Sequence, residues 1–427
     1  MKVILINPRH SNGRYCQPPL GLLHVARSLS DVEIIDADAE HLGMTEVVRR
    51  AKDAGVVGVT ATTPVIHQAM ATIRAVKAAN PAIFTVLGGP HASLLPERTM
   101  VACPELDMIV AGEADTLFPA LLRAPKKGIY RSGATDWNLS LPYRMLPLSR
   151  YKPHAPHGRR TPWMPMITSR GCPYQCAFCS KPVFGSRFRA VRADDVVNEV
   201  GLLERDYGVR EIGFYDDVFT LDHARVLRLC ELWKQMCRSI WTCESRVDLV
   251  TPTLLKEMKR GGCYLIAYGL ESGAPEILRT LQKRAGLAQA EQAISWTREA
   301  GIETLGYFII GAPGETRETI RQTVDFAKRL KLDFAQFSLA MPFPGTKLAQ
   351  MAEDMGLRVP GWSECRYEGT NRGVTFTSAE LDEGAILDAI SKAYREFYLR
   401  AGYVWQRVMK WHPLADAKGL RMLMERS

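Results

Sequence analysis

Short apolar runs alternate with longer amphipathic segments over the first 125 residues of the chain. The runs indicate strands and the longer segments indicate helices, because buried parallel strands are continuously apolar whereas surface helices repeat their apolar positions every three to four residues. This alternation predicts a parallel sheet covered by helices on both faces, with ligands at the carboxyl ends of its strands. The predicted strands are 2–7, 32–36, 56–61, 83–87 and 106–110, and the predicted helices are 21–29, 45–54 and 65–79.

The alternation returns with longer units between residues 161 and 346. Residues 126–160 come first; they are rich in Pro, Arg, Lys and Gly, show little periodicity and predict a linker. Six strand–helix steps follow, most of them with polar residues at the carboxyl end of the strand, where barrels place their active sites. The predicted strands are 164–168, 211–215, 240–243, 264–270, 304–310 and 334–340, and the predicted helices are 193–207, 223–237, 253–260, 288–300 and 316–330.

The last segment, residues 347–427, has a mainly helical pattern. Apolar residues recur at helical spacing in 380–398 and 404–411, and the same stretch is rich in Tyr, Phe and Trp. A helical cap that packs on the preceding domain accounts for this pattern. A wall of a substrate channel is the functional alternative.

Composition narrows the class of protein. A chain of 427 residues is too long for one compact core and predicts two or three domains. Its 46% apolar and 24% charged content is typical of soluble proteins, and no apolar run approaches the ~20 residues needed to cross a bilayer. The first residues enter a strand pattern without a signal-peptide layout, and ten cysteines then favour a reducing compartment, so we expect a cytoplasmic protein. The net charge of +9 favours an acidic partner. Nucleic acid is a disfavoured partner, because the chain has no dense block of Lys and Arg with aromatic residues between them.

Three closely spaced cysteines carry the candidate chemistry. Cys172, Cys176 and Cys179 can hold one soft metal centre, and as three ligands they leave one iron of a four-iron cluster without a protein ligand. Their spacing differs from the paired two-residue spacing of zinc ribbons, and no further His or Cys follows before His223. Incidental packing is the remaining alternative, although such clustering in a long chain indicates a metal site or catalysis.

This cysteine motif resembles that of the radical S-adenosylmethionine (SAM) enzymes. The resemblance implies a [4Fe-4S] cluster on Cys172, Cys176 and Cys179, with SAM bound to the open iron through its amino and carboxylate groups. An electron from the cluster would cleave SAM to a 5'-deoxyadenosyl radical. Phe178 matches an aromatic position of the family and would shield the cluster from water.

Further motifs extend the resemblance to the family's partial (β/α)6 barrel over 161–346. The resemblance implies that Asp216, beside Asp217, faces the SAM amino group, and that the guanidinium of Arg246 pairs with the SAM carboxylate. It also places Glu271 near the SAM ribose or amino group and Gly311 beside adenine. Taken singly, these residues have ordinary explanations as an ion pair, a helix cap or a turn. Their order after the cysteine motif is what favours the SAM site.

The first 125 residues are similar to the cobalamin-binding domain that precedes the barrel in one radical-SAM class. The resemblance implies a Rossmann-like cobalamin domain in 1–125, a linker in 126–160, the barrel in 161–346 and a helical region in 347–427. Glycines at the strand ends would let the backbone approach the corrin and its nucleotide tail. The residues implied to bind cobalamin are Gly88, Gly89, His91, Ser93, Gly112 and Glu113.

His10 is an additional candidate ligand of cobalt. Many cobalamin proteins carry Asp-x-His-x-x-Gly after the first strand, and here the Asp position holds Pro8. A ligating His usually needs a partner on its other nitrogen, so a loop histidine is the alternative. Members of this class commonly bind cobalamin without a His ligand, so the missing Asp does not exclude cobalamin as the cofactor.

The resemblance implies radical methyl transfer to an unactivated carbon, with one SAM methylating cobalamin and a second yielding the radical. Placement of the substrate carbon, rather than a side-chain acid or base, would carry the catalysis. The acceptor is expected on a peptide or protein side chain, with glutamine of methyl-coenzyme M reductase as one candidate. A small-molecule or lipid C-methylase, a cobalamin-dependent cyclase and a non-enzymatic iron–sulfur and cobalamin sensor are the alternatives. An external ferredoxin or flavodoxin would supply electrons.

Overall fold

The computed structural model of the chain describes residues 1–10, 17–153, 158–362, 364 and 374–409. The chain divides into two units. The first unit runs from Met1 to Pro153 and also includes Lys181–Arg187 and a short return that contains Gly361, Trp362 and Glu364. The second unit contains the rest of the described chain. The described helices include none that is both long and apolar enough to cross a membrane.

The first unit is built on a six-stranded parallel sheet with the order β2-β1-β3-β4-β5-β6. Its interior strand β1 has the sequence Val-Ile-Leu-Ile-Asn with all five residues buried, as expected for a parallel strand covered on both faces. The strands are β1 (Val3–Asn7), β2 (Val32–Asp36), β3 (Val56–Thr60), β4 (Phe84–Gly88), β5 (Met108–Ala111) and β6 (Gly128–Arg131), and the helices are α1 (Leu20–Ala26), α2 (Met44–Ala51), α3 (Ile66–Ala79), α4 (Pro90–Leu94), α5 (Pro96–Ala102) and α6 (Ala114–Leu121).

Strand order reverses between β1 and β3 in this sheet. From β1 the chain adds β2 on one side, with Val3 opposite Val32, and then β3 on the other, with Val3 opposite Val56. Sheets of this kind bind ligands in the crevice outside the carboxyl ends of the strands at such a reversal. The loop that carries His10 leaves the sheet at this point.

Strand β6 corrects the predicted linker. Residues Gly128–Arg131 pair with β5, with Met108 opposite Gly128, and so belong to the first sheet. Four edge-strand residues, none of them fully buried, carry too little periodicity to stand out in a Pro- and Lys-rich stretch. The first unit also continues to Pro153, which lies beyond the predicted boundary at residue 125.

The second unit is built on six parallel strands in the sequential order β7-β10-β11-β12-β13-β14, the layout of a partial barrel. Most bounds lie within two residues of the predicted ones. The strands are β7 (Trp163–Met166), β10 (Glu211–Phe214), β11 (Ile240–Ser245), β12 (Cys263–Glu271), β13 (Glu303–Ile310) and β14 (Phe334–Leu339), and a two-stranded antiparallel ribbon is formed by β8 (Ser169–Arg170) and β9 (Arg189–Ala190). The intervening helices are α7 (Ala193–Tyr207), α8 (His223–Met236), α9 (Pro252–Arg260), α10 (Pro275–Thr280), α11 (Leu287–Glu299) and α12 (Arg317–Arg329).

Two of the three described C-terminal helices, the second and the third, protect an edge of this sheet. The three helices are α13 (Lys347–Asp354), α14 (Glu383–Tyr398) and α15 (Ala401–Met409). The hydroxyl of Tyr394 donates to the carbonyl of Phe337 at 3.2 Å and accepts from its N–H at 3.1 Å. Tyr398 makes the same two bonds to Ala335, at 2.8 and 3.0 Å. Aromatic side chains of the helices thus satisfy backbone groups of edge strand β14, so this stretch packs as a helical cap. Trp411, at the end of the predicted 404–411 helix, lies outside the described residues.

Candidate functional site

The three cysteines of the motif lie on the loop that leaves β8. Cys172 and Cys176 are half-buried and Cys179 is exposed. The loop begins at Gly171, whose φ of +85° lies in the left-handed region that favours glycine. Its N–H donates to the carboxylate of Asp217 at 2.8 Å. The start of the loop is therefore fixed to the carboxyl end of β10, while its sulfur atoms remain accessible.

The donors of this cysteine loop fit a [4Fe-4S] cluster. Within the described part of the chain, no three His, Cys, Asp or Glu side chains converge on a single-ion site. A four-iron cluster is wider than an ion, so its thiolate ligands stand farther apart. The sulfur of Cys176 accepts a hydrogen bond from Nη1 of Arg246 at 3.8 Å. Thiolates are the protein ligands of such clusters, so the loop is suited to hold one.

Arg246 has protein partners on every side. Its guanidinium makes a bidentate pair with Asp248, with both N–O distances at 2.9 Å. It lies 3.7 Å above the ring centre of Tyr174 and donates to the carbonyl of Lys283 at 3.0 Å. The side chain is buried beside the cysteine loop. A planar carboxylate such as that of SAM would meet a guanidinium that is already held in one orientation.

Asp216 supports the start of the cysteine loop. Its carboxylate accepts from the N–H of Thr168 at 2.5 Å, from the Thr168 hydroxyl at 2.7 Å and from the Ser169 hydroxyl at 2.9 Å. Nη2 of Arg225 donates to the same Thr168 hydroxyl at 2.7 Å. Burial raises the pKa of Asp216, and the charge of Arg225 opposes that effect. Contact of Asp216 with the SAM amino group stays a prediction, because its oxygens are occupied by the loop.

Glu271 forms a buried ion pair that the sequence did not indicate. Nζ of Lys283 donates to its carboxylate at 2.7 Å, and each side chain is 6% exposed. Glu271 ends β12 with φ of +65°, beside a register shift in the pairing of β12 with β13. A Cβ at Gly269 would lie 2.6 Å from Nζ of Lys283. The glycine of the Gly-Leu-Glu motif therefore makes room for this pair.

Glu244 and Tyr307 are polar residues of the barrel interior that sequence reasoning missed. Trp241 of β11 packs against Trp233 of α8, so the alternate position Glu244 faces the opposite side of the strand. The hydroxyl of Tyr307 donates to its carboxylate at 3.3 Å. Burial and the nearby charge of Asp217 raise the pKa of Glu244 to about 7, although the bond from Tyr307 opposes the shift. Residues two apart on a strand face the same side, so the position of Glu244 two residues before Arg246 is the signal that could have identified it.

Gly311 forms a turn closed by a buried acid. It has φ of +83°, and its N–H donates to Oε2 of Glu315, which also accepts from the N–H of Ala312 at 3.1 Å. Among the described residues the other oxygen of Glu315 has no hydrogen-bond partner. Burial raises the pKa of Glu315 to about 7, against the effect of the two N–H donors. The turn thus depends on a carboxyl group that is partly neutral near pH 7.

We expect Glu315→Gln to stabilise the protein in a pH-dependent way. The native carboxyl gives up its proton near pH 7 and the unfolded one near 4.5, so the stability that the neutral group contributes is lost as pH rises through about 7. The amide stays neutral, and the gain in free energy of unfolding should grow from near zero at about pH 4 to roughly 3 kcal/mol at about pH 8. Urea unfolding at both pH values measures it. Glu318→Gln, at an exposed position, is the control, and an equal gain at both pH values would contradict the prediction.

The carboxyl ends of β4 and β5 form the predicted cobalamin edge of the first sheet. Ser93 donates to the carbonyl of Gly89 at 2.8 Å and accepts from the N–H of Gly112 at 2.9 Å, so one hydroxyl joins the two loops. Gly89 and Gly112 have φ of +90° and +87°. With Gly88 they form a half-buried edge of backbone without bulky side chains, which suits the approach of a flat ring such as a corrin.

The other residues assigned to cobalamin have internal partners. Glu113 is 2% exposed and accepts from the hydroxyl of Thr135 at 3.1 Å. His91 is fully buried; its Nδ1 lies 3.1 Å from the Thr63 hydroxyl, and its ring packs edge-on against Trp362 at 4.6 Å. Burial lowers the pKa of His91 to about 4, so its ring is neutral near pH 7. Contact of Glu113 or His91 with cobalamin stays a prediction.

His10 lies at the strand reversal of the first sheet. Its backbone N–H donates to the carboxylate of Asp38 at 2.9 Å, and its side chain is half-buried. The position suits a ligand, because it follows the carboxyl end of β1. A role in binding cobalt stays a prediction.

The structure therefore brings several of the predicted SAM residues together. Arg246 lies against the cysteine loop, and Asp217 fixes the start of that loop. Lys283, which was not predicted, contacts both Arg246 and Glu271. These residues of the second unit thus include a guanidinium, which donates to carboxylates, and a carboxylate, which accepts from amino groups.

Comparisons with known proteins match both parts of the chain. The family model described as B12 binding domain matches residues 10–122, and the Radical SAM superfamily model matches residues 166–327. An uncharacterized methyltransferase of Pyrococcus horikoshii is 34% identical over 438 residues, which cover 95% of this chain and 93% of that protein. The anaerobic magnesium-protoporphyrin IX monomethyl ester cyclase of Rubrivivax gelatinosus is 27% identical over 95% of this chain and 78% of its own length.

A solved structure has the same fold. The radical SAM methyltransferase TsrM from Kitasatospora setae, with cobalamin and a [4Fe-4S] cluster bound, matches with a TM-score of 0.72 over 91% of this chain and 90% of its own, at 19% identity. TsrM has also been solved with tryptophan substrate and a SAM analog. The chain thus belongs to the cobalamin-dependent radical SAM methyltransferases. Its cofactors are a [4Fe-4S] cluster, SAM and cobalamin, which confirms the family, fold class and cofactors predicted from the sequence.

Proposed function

We propose that this methyltransferase acts on an unactivated carbon of a small molecule. When bound, the cluster and SAM supply hydrogen-atom abstraction, and cobalamin supplies the methyl group. The observation that carries the proposal is the accessible cysteine loop, fixed by Asp217 and joined to Arg246 within one barrel. The protein has to place the acceptor carbon and exclude water, and it needs no side-chain base.

Each cofactor has a proposed set of residues that would hold it. The loop thiols Cys172, Cys176 and Cys179 hold the cluster. Arg246 binds the SAM carboxylate in the orientation set by Asp248 and Tyr174, and Glu271 accepts from the SAM amino group or ribose. Gly311 provides the turn beside adenine. The glycine edge with Ser93 would hold cobalamin, and His10 is a candidate ligand of cobalt.

A small molecule is favoured over the peptide side chain expected from the sequence. The cyclase relative is named for a tetrapyrrole substrate, and TsrM has been solved with tryptophan. Glu244 and Tyr307 give the barrel interior a hydrogen-bonding wall, and an N–H or O–H group of a compact substrate would find acceptors there. Methylation of a protein side chain, including glutamine of methyl-coenzyme M reductase, becomes an outcome of the test below.

Cyclase chemistry is the second candidate function. It is favoured by the magnesium-protoporphyrin cyclase, which is 27% identical over 95% of this chain. A cyclase and a methyltransferase of this fold differ in whether a methyl group leaves SAM, so their products separate them. For either reaction we propose an acidic ferredoxin or flavodoxin as electron donor, because the chain carries a net charge of +9.

Anaerobic turnover tests the proposal. The protein is reconstituted with iron, sulfide and methylcobalamin and given a chemical reductant, deuterated-methyl SAM and either the small-molecule or the protein fraction of its host. Methyl transfer predicts 5'-deoxyadenosine together with S-adenosylhomocysteine and a deuterium-labelled metabolite. Label on a protein instead would restore the peptide interpretation.

The remaining outcomes separate the alternatives. 5'-Deoxyadenosine without S-adenosylhomocysteine or label would favour a cyclase. Neither product, from protein with full cluster and cobalamin content, would contradict enzymatic function and favour a sensor. Omission of reductant is the matched control and should remove 5'-deoxyadenosine.

A further inference from the structure

Lys283 connects two residues that the proposed function assigns to SAM. Its ammonium group donates to the carboxylate of Glu271 at 2.7 Å, and its carbonyl oxygen accepts from Nη2 of Arg246 at 3.0 Å. We propose that Lys283 is a positioning residue of the SAM site, which orients Glu271 through its side chain and Arg246 through its backbone. The inference rests on the SAM roles proposed above for those two residues.

The ion pair of Lys283 and Glu271 is enclosed by the barrel. Both side chains are 6% exposed, so either charge alone would be buried without a counter-ion, which is strongly unfavourable. Strand β12 leaves the space that the pair fills, because a Cβ at Gly269 would lie 2.6 Å from Nζ. The ammonium group therefore fixes the direction of the Glu271 carboxylate.

The backbone around Lys283 is held in an unusual conformation. Gln282 and Arg284, on either side of it, have φ of +52° and +54°, in the left-handed region that costs free energy for residues with a side chain. The carbonyl oxygen of Leu281, the residue before Gln282, accepts from the N–H of Ala177 at 2.9 Å. The short loop 281–284 thus contacts the cysteine loop as well.

Through these contacts the short loop 281–284 holds three parts of the site in place. The carbonyl of Leu281 holds the cysteine loop at Ala177, the carbonyl of Lys283 holds Arg246, and its ammonium holds Glu271. Residues behind a ligand set orient the groups that touch the ligand, and small displacements there weaken binding. Loss of the Lys283 charge should therefore weaken SAM binding while leaving the cysteines and their cluster in place.

Equilibrium dialysis of SAM against anaerobically reconstituted holoprotein tests the inference. We expect Lys283→Met to raise the SAM Kd by about tenfold or more, because Glu271 loses its orienting partner. Glu271→Gln should raise it by a similar factor. Lys259→Met is the matched control: this exposed lysine donates to the carbonyl of Gly301, away from the cysteine loop, and its SAM Kd should equal that of the wild type.

A double variant separates positioning from folding. Lys283→Met combined with Glu271→Gln buries no unpaired charge, so it should fold even if Lys283→Met alone does not. If Lys283 acts through Glu271, the double variant keeps its iron and its SAM Kd equals that of Glu271→Gln within about threefold, whereas a much larger Kd would contradict that route. In addition, SAM at a concentration that saturates the wild type should change the EPR spectrum of the reduced cluster in the wild type and not in the variant.

Two results would overturn the inference in distinguishable ways. Wild-type SAM affinity in Lys283→Met when Glu271→Gln binds weakly would make Lys283 a residue of stability only and leave the proposed SAM site intact. Wild-type affinity in Glu271→Gln would instead refute the SAM role proposed for Glu271, and with it the role of Lys283.

Discussion

Replacing Cys176 by alanine should abolish the iron–sulfur cluster and lower reductive SAM cleavage by about a thousandfold or more. Cys176 is a proposed iron ligand and its sulfur is the group to which Arg246 donates, and two cysteines cannot replace the three-ligand arrangement. The checks are iron and sulfide analysis, the cluster absorbance and the yield of 5'-deoxyadenosine. Cys172→Ala and Cys179→Ala should behave alike.

Cys237→Ala is the matched control for this prediction. Cys237 is a half-buried free cysteine at the end of α8, and burial raises the pKa of its thiol to about 12, so it holds no thiolate near pH 7. Its alanine variant should keep full iron content. Zinc at the loop of wild-type protein purified without oxygen, or undiminished SAM cleavage by Cys176→Ala, would refute the assignment of the cluster.

The second large effect is expected at Asp216. Asp216→Ala should lower the free energy of unfolding by about 3–5 kcal/mol, because it leaves the hydroxyls of Thr168 and Ser169 buried without their acceptor and the charge of Arg225 buried without this nearby negative charge. Urea unfolding at about pH 7.5, followed by tryptophan fluorescence, measures the loss. The cysteine loop starts at this network, so iron content should fall as well.

Asp206→Ala provides the reference for a surface aspartate. Asp206 pairs with Arg205 where the two side chains are 44% and 70% exposed, and its removal should change the free energy of unfolding by less than about 0.5 kcal/mol. If Asp216→Ala were as stable as wild type and bound SAM poorly, Asp216 would be a direct SAM contact, as the sequence suggested. Loss of stability would instead give it the supporting role that its hydrogen bonds indicate.

Local patterns in the sequence were sufficient for most of the fold. The strand predicted at 32–36 and the helix predicted at 193–207 coincide with β2 (Val32–Asp36) and α7 (Ala193–Tyr207). Each is specified by its own residues: a continuous apolar run for a buried strand, and an acidic first turn followed by apolar positions at helical spacing for the helix. Edge strand β6 was missed because it buries no residue fully and so shows little pattern.

The candidate site was predicted only in part, for a related reason. The spacing of Cys172, Cys176 and Cys179 lies within one short loop, so the sequence alone determines that three thiols are near one another. The partners of those residues come from distant strands. Glu271 meets Lys283 across 12 positions, and Arg246 reaches Cys176 across 70.

What the sequence determined by itself was the order of strands and helices, the cysteine loop and the family to which these belong. Only the tertiary structure decided that Lys283 faces Glu271, that Asp216 supports the loop and that Tyr394 and Tyr398 bond to the edge strand β14. Apolar periodicity and motif spacing are properties of neighbouring residues along the chain. Ion pairs and buried hydrogen bonds depend on distances that exist only once parallel strands have brought their carboxyl ends to the same edge of a sheet.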